Sequence, residues 1–193
     1  MTKLVPLTCL CILLLCTVVS AQSPAGSIFI SSGIGIIPSY TGKATQTEFP
    51  AVSFEAGYRI SNAFSLNAYV GYTEASTEPK VLSDGIESSV HNKTTMFGLK
   101  GQLHKNFTDK VEMYGGIILG FSTFDRTETD LKTGEKIVRT TDEPSPYNPN
   151  EPGARLLYSG FIGGKYWLNP RIGVYSEMGL SVSLLTAGIS VRI

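Results

Sequence analysis

From Val52 to Tyr72 the chain alternates apolar and polar residues with a period of two, and this repeat limits most strongly what it can fold into. Val52, Phe54, Ala56, Tyr58 and Ile60 share one face, with Ser53, Glu55, Gly57 and Arg59 on the other. After Ser61-Asn62-Ala63 the pattern resumes as Phe64, Leu66, Ala68, Val70 and Tyr72 against Ser65, Asn67, Tyr69 and Gly71. A helix brings together residues three and four apart, so a period of two argues for a strand with one apolar face. Three residues between two such runs form a tight hairpin turn.

Six further segments fit the same template: residues 28 to 37, 95 to 104, 110 to 124, 155 to 168, 172 to 180 and 183 to 193. Their apolar faces include Ile28, Ile34 and Ile36, then Phe97, Leu99 and Leu103, then Met113, Ile117, Leu119 and Phe121. The segment from 155 to 168 is the least regular, because Leu157, Phe161 and Trp167 make its second face apolar too. Connections alternate between long (38 to 48, 73 to 94, 125 to 154) and short (61 to 63, 105 to 109, 169 to 171), and the last, at 181 to 182, is short. Eight strands with long loops at one end and tight turns at the other predict an all-β fold, an eight-stranded antiparallel up-and-down transmembrane β-barrel. A soluble barrel would turn its apolar face inward and carry Lys and Glu outside. Here the polar face is mostly Gly, Ser, Asn and Tyr with isolated charges, which suits a narrow polar interior. The apolar faces end in Phe49, Phe64, Tyr72, Phe121, Tyr158 and Tyr166, as interfacial aromatic girdles do.

Charge and cysteine content narrow the functional classes. Sixteen Lys and Arg balance sixteen Asp and Glu with no basic cluster, so the electrostatic footprint of a nucleic-acid binder is missing. The three cysteines, Cys9, Cys11 and Cys16, all precede residue 17, which leaves none later for a disulfide, a thiolate nucleophile or a cysteine zinc site. Lys3 followed by the apolar run from Leu4 to Val19 and by Val19-Ser20-Ala21 reads as a cleaved secretory signal peptide. Cleavage between Ala21 and Gln22 divides the chain into residues 1–21, the signal peptide, and 22–193, the barrel domain.

Three segments carry a resemblance. Ser20-Ala21-Gln22 looks like a cleavage junction, and Gly163-Gly164-Lys165-Tyr166-Trp167-Leu168-Asn169-Pro170-Arg171 followed by Val174-Tyr175-Ser176-Glu177-Met178-Gly179 reads as strand, turn, strand. The chain ends Thr186-Ala187-Gly188-Ile189-Ser190-Val191-Arg192-Ile193, a pattern of polar, any, Gly, any, any, apolar, any, apolar. These resemble the small eight-stranded outer-membrane barrels of the OmpX and OmpA transmembrane-domain kind, particularly the Bacteroidetes type. The resemblance implies residence in the bacterial outer membrane as a monomer in contact with outer-membrane lipid. It also implies escort by periplasmic chaperones and insertion by the barrel-assembly machinery, with Thr186, Gly188, Val191 and Ile193 as the assembly signal. No cofactor is implied.

By parity, Glu55, Arg59, Lys100, His104, Glu112, Lys165, Glu177 and Arg192 point into the lumen. An eight-stranded barrel is barely wide enough for its own side chains, so these charges are expected to pair across it, Glu112 with Lys165 first. Arg59, His104, Glu112, Lys165 and Arg192 fall toward the periplasmic end, and Glu55, Lys100 and Glu177 nearer the middle. Such a set fills and seals the interior; the alternative is an ion-pair gate in a narrow pore. A lipid A-modifying enzyme is the further alternative, but it needs a His, Ser and carboxylate together. His104 stands alone in the sequence, and His91 falls in a loop, which argues against catalysis. The acidic run from Asp125 to Asp142 lacks calcium-loop spacing and reads as a solvated loop. Asp84-Gly85, in the loop 73–94, and Lys132-Thr133-Gly134-Glu135, in the loop 125–154, each suggest a hairpin above the membrane. Those two loops are the candidate surfaces for adhesion or a surface ligand.

Overall fold

The computed structural model describes residues 24–39, 45–140, 143–147 and 152–193. The Ala21–Gln22 junction lies outside them. Eight long strands follow one another around a closed antiparallel barrel: β1 (Ile28–Pro38), β2 (Thr45–Ser61), β3 (Phe64–Thr77), β5 (Glu87–Asn106), β6 (Val111–Asp130), β8 (Ala154–Trp167), β9 (Ile172–Gly179) and β10 (Ser183–Arg192). Each pairs with its neighbour in sequence order, and β10 returns to β1, with Ile30 opposite Val191 and Gly33 opposite Gly188. Two short strands, β4 (Lys80–Val81) and β7 (Lys136–Ile137), fold back onto β5 and β6. Closure leaves the eight-strand wall without an edge, which lets a sheet sit in lipid without stranding backbone polar groups.

Burial is inverted relative to a soluble protein. Along β2 the charged Glu55 and Arg59 are buried while Phe54, Tyr58 and Ile60 are exposed. Ile34, Leu99, Leu103, Ile117, Leu119, Leu156, Tyr158, Ile162 and Met178 continue the exposed apolar wall. So large an apolar surface is tolerable only against hydrocarbon. On the side away from the tight turns the band stops at aromatics. Phe49 lies edge-on to Tyr72 with centroids 5.7 Å apart, and Phe97 packs beside its cross-strand partner Phe121 at 5.9 Å.

Beyond that ring the strands run on, and here the loop boundaries read from the sequence need correction. β3 extends to Thr77, β5 starts at Glu87 and β6 reaches Asp130, so Asp125 to Asp130 and His91 are strand rather than loop. Their inward face is buried but largely polar, with Ser88, Thr94, Ser122 and Glu128, so no apolar period marks them. They are held by an unbroken β5–β6 ladder from Ser88–Asp130 to Asn106–Glu112. The two hairpin turns form where Asp84-Gly85 and Thr133-Gly134 place them, with Gly85 at φ 77 and Gly134 at φ 74, the left-handed region glycine favours. Inside, large rings lie over glycines of neighbouring strands: a Cβ on Gly57 would strike the Phe29 ring, and one on Gly163 the Tyr114 ring. The half of the lumen near the long loops is filled by Ala51, Tyr69, Met96, Ile118, Leu157 and Val182.

Candidate functional site

The described lumen holds two polar clusters and a third group above them. In the middle, Lys100 on β5 reaches across the barrel, its Nζ donating to Glu55 Oε1 on β2 at 2.5 Å and to Glu177 Oε1 and Oε2 on β9 at 2.7 and 2.8 Å. The second oxygen of Glu55 accepts from Asn67 Nδ2 and Gln102 Nε2, both at 3.3 Å. The ammonium also sits 4.1 Å from the Phe161 ring centroid, where the π face adds attraction in a dry setting. One cation therefore ties strands from opposite sides of the barrel.

Nearer the tight turns, Glu112 on β6 is the hub. Its Oε1 accepts from Arg59 Nη1 at 2.7 Å and from His104 Nδ1 at 2.5 Å, and its Oε2 accepts from Trp167 Nε1 at 3.1 Å. The expected Glu112–Lys165 pair is not made, although the two residues are register partners on β6 and β8. Arg59, from across the lumen, takes the carboxylate instead. Lys165 donates to Ser190 Oγ at 3.0 Å and lies among the Phe29, Trp167 and Tyr114 rings, 4.8, 5.2 and 5.8 Å from their centroids. Arg192 lies at the tight-turn mouth of the lumen, in register with the buried Phe29 of β1. It donates to the Pro170 carbonyl through Nε at 2.7 Å and stacks 4.8 Å from the Trp167 centroid, because β10 is ending there. Of the terminal pattern, Thr186 faces inward, Gly188 packs against the β1 backbone, and Val191 and Ile193 face out.

His104 is not alone, contrary to the sequence expectation. Its Nε2 lies 2.8 Å from Ser65 Oγ on β3, opposite the Nδ1 contact with Glu112. Ser65, His104 and Glu112 thus stand in the order of a hydrolase triad. Ser65 has no exposed surface, however, and its hydroxyl also donates to Asn67 Oδ1 at 3.1 Å, which links this cluster to Glu55. A nucleophile must meet its substrate, and this one is enclosed by the barrel's own side chains. Parity placed both His104 and Ser65 on inward faces; β3–β5 pairing is what makes them neighbours.

Above the lumen, Arg139, in the segment after β7, binds Glu128 on β6 through Nε at 3.2 Å and Nη2 at 2.8 Å, and reaches Asp84 in the 82–86 turn with Nη1. The Glu128 side chain is fully buried. This fork pins both surface hairpins over the barrel mouth. The guanidinium, together with the Ile86 amide, holds the Asp84 carboxyl below the usual aspartate range, and Glu128 and Asp84 push Arg139 further up.

No protein-family profile matches the chain, and no curated protein is similar to it in sequence. Solved structures are similar in shape. The outer membrane protein OprG of Pseudomonas aeruginosa is 12% identical, with 90% of this chain and 98% of that one covered and a TM-score of 0.50. This chain has the fold of a small outer-membrane barrel. A de novo designed transmembrane β-barrel (13% identical, 89% and 99% covered, TM-score 0.49) is also similar. So is Ail, the attachment invasion locus protein of Yersinia pestis (12%, 87% and 95%, TM-score 0.46).

Proposed function

We propose that this protein is a non-enzymatic outer-membrane barrel of the OmpX and OmpA-like kind, Bacteroidetes type, that anchors surface strands and loops for envelope integrity or adhesion. The observation that carries this reading is the sealing of the lumen: a Lys100 tie to Glu55 and Glu177, a Glu112 hub below it and an apolar plug around Met96 and Ile118 above. Among the described residues these side chains occupy the lumen at successive levels, whereas a pore requires a continuous water path. Its investment lies outside the band, where β5 and β6 run to twenty residues when about 9–11 cross a bilayer. The candidate contact surfaces remain the hairpins within 73–94 and 125–154, which extend those strands. Outer-membrane lipid covers the apolar wall, and the assembly machinery reads the Thr186–Ile193 end.

Planar-bilayer conductance of the refolded protein, alongside Glu112→Ala, tests the reading once heat-dependent gel mobility has shown a folded barrel. Silence from both supports an anchoring role. Reproducible channels, wider in the variant, overturn it in favour of an ion-pair-gated pore. Membrane fractionation with surface proteolysis checks location: cleavage near 131–147 in intact cells is expected, and recovery in the inner membrane refutes the proposal.

A further inference from the structure

On the outer wall just beyond the aromatic ring, three strand extensions bring one imidazole and two carboxylates together. His91 on β5 lies opposite Ser76 of β3, and Glu74 stands two residues along β3 on the same face. The third group comes from β2, where the register shifts between Thr47 and Phe49, and Glu48 sits at the irregularity. Glu48 Oε2 is 2.8 Å from His91 Nδ1, and Glu74 Oε2 is 3.2 Å from His91 Nε2. One ligand atom from each residue lies within 4.8 Å of the others.

A neutral imidazole has one N–H and one lone pair. Both ring nitrogens face a carboxylate oxygen here, and Nδ1 also lies 3.1 Å from Ser76 Oγ. Lys93 Nζ, 3.8 Å from Glu74 Oε1, offsets part of the negative charge but does not touch Glu48. The imidazole and the two carboxylates offer the donor set of a divalent cation, with one ligand atom from each already within 4.8 Å of the others. We propose that Glu48, Glu74 and His91 form a surface site for a divalent transition metal, zinc first, held by one imidazole nitrogen and two carboxylate oxygens.

The donor set favours zinc over calcium or magnesium, which take oxygen ligands. Zinc–nitrogen and zinc–oxygen bonds of about 2.0–2.2 Å require the carboxylates to close on a single ring nitrogen. The side chains can do this: Glu48 is about half exposed, and His91 and Glu74 are partly so. Ser76 Oγ and the Tyr72 hydroxyl, which donate to Glu48 and Glu74, would stay as supports that aim the carboxylates. A fourth position faces outward and is open to water. Such a metal would staple β2, β3 and β5 where they leave the membrane, at the base of the surface extensions.

The test is zinc titration of the tag-free, refolded full-length barrel in detergent micelles, by competition with a chromophoric chelator. X-ray absorption of the bound metal reports its ligands. The structure predicts one zinc per barrel with mixed nitrogen and oxygen ligation, weakened at least about tenfold by His91→Ala and by Glu74→Gln. The three cysteines all precede residue 17 and the other histidine, His104, is buried, so each variant is compared in a form whose leader cysteines are replaced by serine. Gel mobility confirms folding; if His91→Ala fails to fold, Glu48→Gln, at an exposed position, carries the comparison. Absence of zinc binding overturns the proposal, as does unchanged affinity in the variants or displacement of zinc by equimolar calcium.

Discussion

Replacing Lys100 with Met removes the one cation that separates two buried carboxylates. Lys100 is 1% exposed, and its Nζ contacts Glu55 and Glu177 at 2.5 to 2.8 Å. Methionine has nearly the same volume, so packing is largely kept and the electrostatic effect is isolated. Without the ammonium, Glu177 loses both of its Lys100 contacts, while Glu55 keeps only the neutral Asn67 and Gln102 amides. Breaking a buried ion pair by deleting one partner costs about 3–5 kcal/mol. With a urea slope of about 2 kcal/mol/M, a loss of about 4 kcal/mol moves the unfolding midpoint down by about 2 M. The assay is urea unfolding of the refolded barrel, followed by the emission of Trp167, the sole tryptophan. A second arm separates charge from shape: adding Glu55→Gln and Glu177→Gln to Lys100→Met removes the stranded anions and restores most of the loss. A Lys100→Met barrel as stable as the parent would refute the argument, as would a triple variant no better than the single one.

Glu112→Ala strands the Arg59 guanidinium and removes the acceptor of Trp167 Nε1, so a loss of about 3–5 kcal/mol is expected together with a shift in tryptophan emission; an unchanged spectrum would contradict the hub geometry. Ser65, enclosed in the lumen, should resist a fluorophosphonate probe, and Ser65-dependent labelling of the folded barrel would reopen the enzymatic alternative. A Cβ on Gly120 would collide with the Phe97 carbonyl oxygen across the β5–β6 ladder, so Gly120→Ala should destabilise by about 1–3 kcal/mol, measured by the same urea midpoint. The depressed Asp84 carboxyl stabilises the pinned hairpins above its unfolded value of about 3.9, and that contribution is lost as pH falls through the lower folded value. Hydrogen exchange of amides 131–140, corrected for intrinsic rates, should therefore rise in that acid range for the parent, whereas Asp84→Asn should be fast at neutral pH and lose the acid transition.

Much of the barrel could be read from the chain because lipid and lumen impose opposite demands on alternate residues. Phe54, Tyr58 and Ile60 must face hydrocarbon, and Glu55 and Arg59 then have nowhere to go but inward. The strand extensions were hidden for the converse reason: past Phe97 and Phe121 the outward face leaves hydrocarbon and carries Lys93, Asp125 and Thr127, while the buried inward face is mostly polar (Ser88, Thr94, Ser122, Glu128), so no apolar period distinguishes them from a loop. The inward direction of Glu112, Lys165 and His104 followed from parity alone, yet their partners did not. Adjacency in register made Lys165 the expected mate of Glu112, but side-chain reach across a narrow lumen favoured Arg59, three strands away. Likewise Ser65 met His104, and Glu48 met His91, only when strands distant in sequence were laid side by side and β2 shifted its register at Glu48. Local alternation is thus written residue by residue and fixes the wall and the sign of its faces. Pairing inside the lumen and on the outer rim depends on closure and stagger, which combine side chains as far apart as Ser65 and His104, 39 residues, or Lys100 and Glu177, 77 residues, and leave no trace in local pattern.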